Sequence, residues 1–172
     1  MTSYGPQQLA AALRTVRKNT ILVAEDIPEE SYGYRVSPDS RSVAETLLHI
    51  AAAPQLDLHV HERERLSAIA DFSLFGALLK DFPIHEKLPY SKAQIIELLQ
   101  TEGEKWAQWL ERMPQSQAEE LVTMPNGTSK SRFEMLHGSK EHEMHHRAQL
   151  MVTERLLGVV PHLTRNRRPV AA

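Results

Sequence analysis

The chain has 172 residues, 41% hydrophobic and 24% charged, ordinary proportions for one globular domain with a proper core. Its formal net charge of -2 gives no overall attraction to nucleic acid or to an anionic membrane. It has no cysteine, which excludes disulfides, thiolate nucleophiles and cysteine-ligated metals and leaves His, Asp and Glu as ligand types.

The N-terminal stretch MTSYGPQQLAAALRTVRKN lacks a basic segment followed by an apolar one, so it does not read as a signal peptide. No apolar run approaches membrane-spanning length, and a soluble cytoplasmic protein is expected. A first helix is predicted over residues 6–26, with Leu9, Leu13, Val16, Thr20 and Val23 at helical spacing and Pro6 in its first turn. The loop that follows is marked by Pro28, Gly33 and Pro38.

Three later helices open on the same S-x-x-E/Q pattern, Ser42 with Glu45, Ser91 with Gln94 and Ser131 with Glu134. In such a box the hydroxyl and the acid or amide satisfy backbone donors that a first turn leaves without partners. The second helix is predicted over 42–70, kinked at Pro54, which has no N–H for the Ile50 carbonyl. Residues 71–90 read as a short extra helix and a loop. The third helix spans 91–112 and buries Trp106 and Trp109 as core aromatics. Asn126-Gly127 signals a small hairpin turn. The fourth helix covers 131–157 and stops at Gly158, with Pro161 beyond. Four long amphipathic segments predict an all-α, four-helix bundle in one domain over 1–163. Residues 164–172, with Arg165, Arg167 and Arg168, read as a flexible basic tail.

His142, Glu143 and His146 spell H-E-x-x-H, the zinc protease signature. Residues four apart share a helix face, so His142 and His146 can aim at one point, on the buried stripe with Met135, Leu150, Thr153 and Leu157. Two interior imidazoles without partners are costly, and a divalent ion removes that cost. A protease needs a third ligand downstream. Gln149 and Val152 stand where the longer metalloprotease motif needs Gly and His, and Glu154 is too far along the axis. The third ligand is therefore expected upstream, and His49, in the apolar VAETLLHIAAA run, is the best candidate. His59 and His61, in HVHERER, read as a solvated face. His85 falls in a loop and His137 off the ligand face. His145 reads as a wall residue or a support for the ligands. Arg147 is expected to pair with Glu143, and Gln149 to bond a ligand ring or a substrate. Met144 and Met151 suggest either a dimer surface or gap filling.

A histidine after the SVAETLLH helix start, then H-x-x-x-H in EHEMHHRAQL, then LLGVVP, resembles the DinB/YfiT-like family. The resemblance runs from the first helix through Pro161. Ala148 stands at the small position of a run that family members usually write HHRGQ. The resemblance implies a four-helix bundle, a homodimer, and a divalent metal, zinc or nickel, held by His49, His142 and His146. It points to a transferase using a low-molecular-weight thiol on a small-molecule substrate. The alternatives are a hydrolase, with water activated on the metal and Glu143 or Glu45 as proton acceptor, and a non-catalytic dimeric stress-response module with a structural metal. Neither nucleic acid nor membrane is expected as a partner.

Overall fold

Gly5 and Pro6 begin the first helix, α1 (Pro6–Asp26), where the Gly5 amide donates to Gln8 Oε1 at 3.0 Å. The computed structural model describes residues 4–71, 73, 76, 86 and 88–165. The predicted stripe Leu9, Leu13, Val16, Thr20 and Val23 is the buried face of α1. A 3₁₀ turn at Glu29–Ser31 follows, and Tyr32 ties it back by donating to the Ala24 carbonyl at 2.8 Å.

Helix α2 (Val43–Leu58) starts on a complete box: Glu45 N–H donates to Ser42 Oγ at 3.2 Å, and Ser42 N–H donates to Glu45 Oε2 at 2.8 Å. It is shorter than the predicted 42–70. At its end the helix widens into a π turn, His59–Arg63, in which the Glu64 amide reaches back five residues to the His59 carbonyl. Arg65 then takes a positive φ of 45°. The extra residue in that turn rotates the face, so His61 points inward and is 1% exposed, against the expected solvated face. The short helix expected within 71–90 falls outside the described residues.

Helix α3 (Lys92–Arg112) opens on Ser91 and Gln94 with both box bonds made, and it buries Trp106 and Trp109. A one-turn α4 (Gln115–Ala118) leads to the predicted hairpin, β1 (Leu121–Thr123) antiparallel to β2 (Ser129–Ser131), with Gly127 at φ 80° in its turn. Helix α5 (Arg132–Leu156) has half its box: Ser131 Oγ accepts from Glu134 N–H at 3.1 Å, while the Glu134 carboxylate pairs with Lys130 instead. Gly158, at φ 79°, closes α5 with the Val159 amide donating to the Glu154 carbonyl at 2.8 Å. Thr164 and Arg165 belong to a last turn, α6 (His162–Arg165), past the boundary expected at 163. Arg165 pairs with Asp26 at 2.7 Å. Arg167 and Arg168 lie outside the described residues.

α1 and α2 each pack against α3 and α5, so α1 and α2 sit on one diagonal of a four-helix bundle. The bundle core holds two large apolar clusters, and a third, smaller one of Val60, Ile69 and Val122 lies beside the hairpin. One large cluster holds Val23, Leu47, Ile50, Leu99 and Leu150, and the other holds Leu9, Leu13, Trp106, Leu110 and Leu136. Arg17, Gly103 and Glu143 fall between these sets on α1, α3 and α5, which makes a polar layer across the bundle. Among the described residues no helix is long and apolar enough to cross a membrane.

Candidate metal centre

The middle of α2 faces the middle of α5, and this brings His49, His142 and His146 together. One nitrogen from each ring lies within 4.8 Å of the others. His49 Nε2 is 2.9 Å and His146 Nε2 is 3.1 Å from His142 Nε2. Nitrogens that share a zinc ion at 2.0–2.1 Å in tetrahedral geometry stand about 3.3–3.4 Å apart, so the three rings are close to that spacing.

The outer nitrogens decide which way the lone pairs point. His49 Nδ1 lies 2.6 Å from Glu86 Oε1, a carboxylate that only accepts, so Nδ1 donates, and in the neutral ring that a metal requires Nε2 keeps its lone pair. His146 Nδ1 donates to Gln149 Oε1 at 2.8 Å, and the Gln149 amide donates onward to His145 Nε2 at 3.1 Å. With both rings neutral, two lone pairs face His142 Nε2, which can donate to one of them at most. A shared cation satisfies all three rings. Burial, followed by the neighbouring His49 and His146, pushes the His142 pKa down to about 4, and burial also lowers that of His146. Both rings are neutral at neutral pH, as a ligand must be.

Glu86 has a second anchor, since Arg41 Nε donates to its Oε2 at 2.8 Å. Burial pushes the Glu86 carboxyl up, but the hydrogen bonds from His49 and Arg41 outweigh it and hold the group at about 2. A carboxylate on the far nitrogen of a ligating histidine fixes its tautomer and raises its basicity. Sequence reasoning missed Glu86 and Arg41, because loop residues have no period; the general need of such a histidine for an acceptor was the one available signal.

Glu143 does not belong to this centre. One position from His142 on α5, it turns toward α1, where it is 3% exposed. It accepts from Arg17 Nε at 2.9 Å, Arg17 Nη2 at 3.0 Å and Thr20 Oγ1 at 2.7 Å. Arg147 does not pair with it as expected, and donates instead to the Val16 carbonyl at 3.2 Å. The protease lettering is a coincidence of two faces of one helix. Glu45 is also engaged through both oxygens, by the Ser42 amide and by Arg35. Met151 packs on the core, while Met144 stays exposed.

The remaining histidines sit elsewhere. His61 Nδ1 meets Arg132 at 3.3 Å, and burial, helped by the Arg132 charge, pushes its pKa down to about 4. His137 packs edge-on against Phe133, His162 bonds Asn19, and His85 is outside the described residues. His145 is exposed, its ring 5.0 Å from that of His146.

Of the three histidines, His146 lines a groove of 1080 Å³ that is also lined by Arg35, Arg41, Gln149, Val152 and Leu156. No curated protein matches the chain. Among solved structures it is similar to a DinB-like protein of Bacillus subtilis, YjoA, at 22% identity over 88% of this chain and 92% of that one, with a TM-score of 0.65. It is also similar to YfiT of Bacillus subtilis, described as a probable metal-dependent hydrolase with an unusual four-helix bundle topology. There the identity is 16%, over 92% of this chain and 91% of that one, with a TM-score of 0.69. The model of the DinB superfamily matches residues 12–150, and the chain belongs to that superfamily.

Proposed function

We propose that the chain is a divalent-metal-dependent enzyme that transfers a group between a low-molecular-weight thiol and a small-molecule substrate, with His49, His142 and His146 holding the metal. The observation that carries this reading is the convergence of three imidazoles, with no carboxylate among them, one of which, His146, lines an open groove. A divalent ion with three neutral ligands keeps its full charge, so it acidifies and orients whatever exogenous ligand completes its shell. Zinc and nickel both suit imidazole donors.

The state of the nearby acids favours a thiol over water. Glu45, Glu86 and Glu143 are all held by cationic or amide donors, so none is poised as a general base. A free thiol at about 8.5 must fall by only a unit or two to ionise at neutral pH, whereas water starts at about 15.7. The chain has no cysteine, so the thiol comes from outside. Arg35 and Arg41 favour a ligand with an anionic group, and Val152 and Leu156 give the groove an apolar wall.

Hydrolysis is the second reading. It is supported by the description of the similar YfiT and by His145, an exposed imidazole beside His146 that is linked to it through Gln149. The homodimer implied by the family resemblance is part of the proposal and is checked by sedimentation.

The test is metal content by plasma mass spectrometry on wild type and His49→Ala, then titration of cobalt-substituted protein with glutathione, bacillithiol and mycothiol. About one ion per chain in wild type, mostly lost in the variant, together with a thiol-dependent change in the visible spectrum, supports the transferase. A bound ion with no response to any thiol moves the reading to hydrolysis. Absence of metal after reloading ends both.

A further inference from the structure

A second, smaller cavity lies behind the centre. It measures 250 Å³, and His49 and His142 form one of its walls. Its other sides are mainly apolar, from Ala53, Val60 and Met135. Asp57, two turns along α2 from His49, supplies a carboxylate that Ser139 engages through its hydroxyl.

Gly138 also lines the cavity, and its position is informative. Glycine inside a helix costs stability relative to alanine, so a mid-helix glycine calls for a local reason. At Gly103 the reason is contact, because an added Cβ would lie 2.9 Å from Arg17. At Gly138 an added Cβ would meet nothing within 4 Å. Gly138 is exposed as well as lining the cavity, so a side chain there would stand at its open edge. Burial raises the Asp57 carboxyl to about 7, the Ser139 hydroxyl working against it. A cationic guest would relieve that burial cost by pairing with the carboxylate.

We propose that this cavity seats a short primary alkylammonium group of the substrate, with Asp57 as its charge partner and the shared histidine wall placing the rest of the molecule at the metal centre. The inference rests on reading that centre as a metal-dependent site for a small molecule. It makes the site two-armed, with arginines in the groove on one side and an aspartate in a half-open, mainly apolar cavity on the other. The substrate then carries an amine on a short aliphatic arm. A neutral alkyl chain would leave Asp57 without a charge partner, and a carboxylate would repel it.

The probe is n-butylamine at neutral pH, with 1-butanol and butyrate as its neutral and anionic matches, titrated calorimetrically into full-length protein with and without zinc. Wild type is expected to bind butylammonium with a dissociation constant of about 1 mM, at least about tenfold tighter than either match. Asp57→Asn should erase that preference, and Gly138→Leu, which adds bulk at the open edge of the cavity, should abolish binding of all three. Ser139→Ala keeps the carboxylate and should still bind the amine, which preserves the test if Asp57→Asn does not fold. Equal binding of the three probes, no amine binding to wild type at about 10 mM, or unchanged binding in Gly138→Leu overturns the proposal. Metal content is counted on the same samples. A chain that holds its ion but ignores the amine sinks only the subsite, whereas one that never holds an ion sinks the metal-dependent reading.

Discussion

Arg17 Nη2 lies 3.3 Å from the carbonyl oxygen of Ile50, the helical acceptor that Pro54 cannot serve. The oxygen released by a proline inside α2 is thus taken up by a cation of α1, across the diagonal of the bundle. The same guanidinium donates to the Leu99 carbonyl at 2.7 Å and to both oxygens of Glu143, so it touches all three other bundle helices.

Removing one partner of this buried pair should be severe. Glu143→Gln and Arg17→Met are each expected to cost about 3–5 kcal/mol in urea unfolding, because each strands polar groups of the other. The double variant should recover part of that loss. Metal content per folded chain should be unchanged in Glu143→Gln, and a fall to the level of His49→Ala would contradict the structural role assigned to Glu143.

Gly103 and Gly138 make a matched comparison, since both sit inside helices. Gly138→Ala should stabilise by about 1 kcal/mol, the ordinary helix propensity gain. Gly103→Ala should destabilise by about 1–3 kcal/mol despite the same gain, because the methyl group displaces Arg17 from its bonds. Thermal melts showing the same sign for both changes would remove the close approach at Gly103 from the account.

Glu86→Gln is expected to weaken metal binding about 10–100-fold, the usual effect of losing the acceptor behind a ligating histidine. A competition titration with a chelator reads this directly. The melting temperature of the metal-free protein should change little, since Glu86 is only partly buried and lies outside the bundle helices.

Glu154 gives a pH dependence of unusual sign. It is fully buried, neither carboxylate oxygen has a hydrogen-bond partner among the described residues, and burial, with the Asp26 charge adding, raises it to about 7. The folded state therefore holds this proton more tightly than the unfolded chain does. Its contribution is most favourable below about pH 4 and is lost as pH rises toward 7. Glu154→Gln should accordingly stabilise at pH 8 by up to about 3 kcal/mol and have little effect at pH 4, as read from unfolding curves at the two values.

The helices and the three converging histidines were legible because their signals are local. A periodic apolar stripe, a capping serine and an i, i+4 pair can each be read within a few residues. The partners of those residues were not. Arg17 and Glu143 are separated by 126 positions, and the sign that Arg17 is buried, its place beside Val16 and Thr20 in the α1 stripe, says nothing of what it meets. His61 was misassigned because a single five-residue step at His59 turns a face that regular spacing would leave in water. Glu86 lies in a connection without period, where spacing carries no directional information.

The acceptor behind His49 is borne by the connection between α2 and α3, not by the bundle that carries the three ligands. Arg41, just ahead of α2, holds it from the opposite side. Whatever free energy an ion would gain from a well-oriented His49 would therefore be shared with the hold on Glu86, and each would favour the other by the same amount. An ion held by the three histidines would in turn tighten the hold on Glu86. A relative with the same three histidines and a different connection can thereby have a different metal affinity, with no ligand changed.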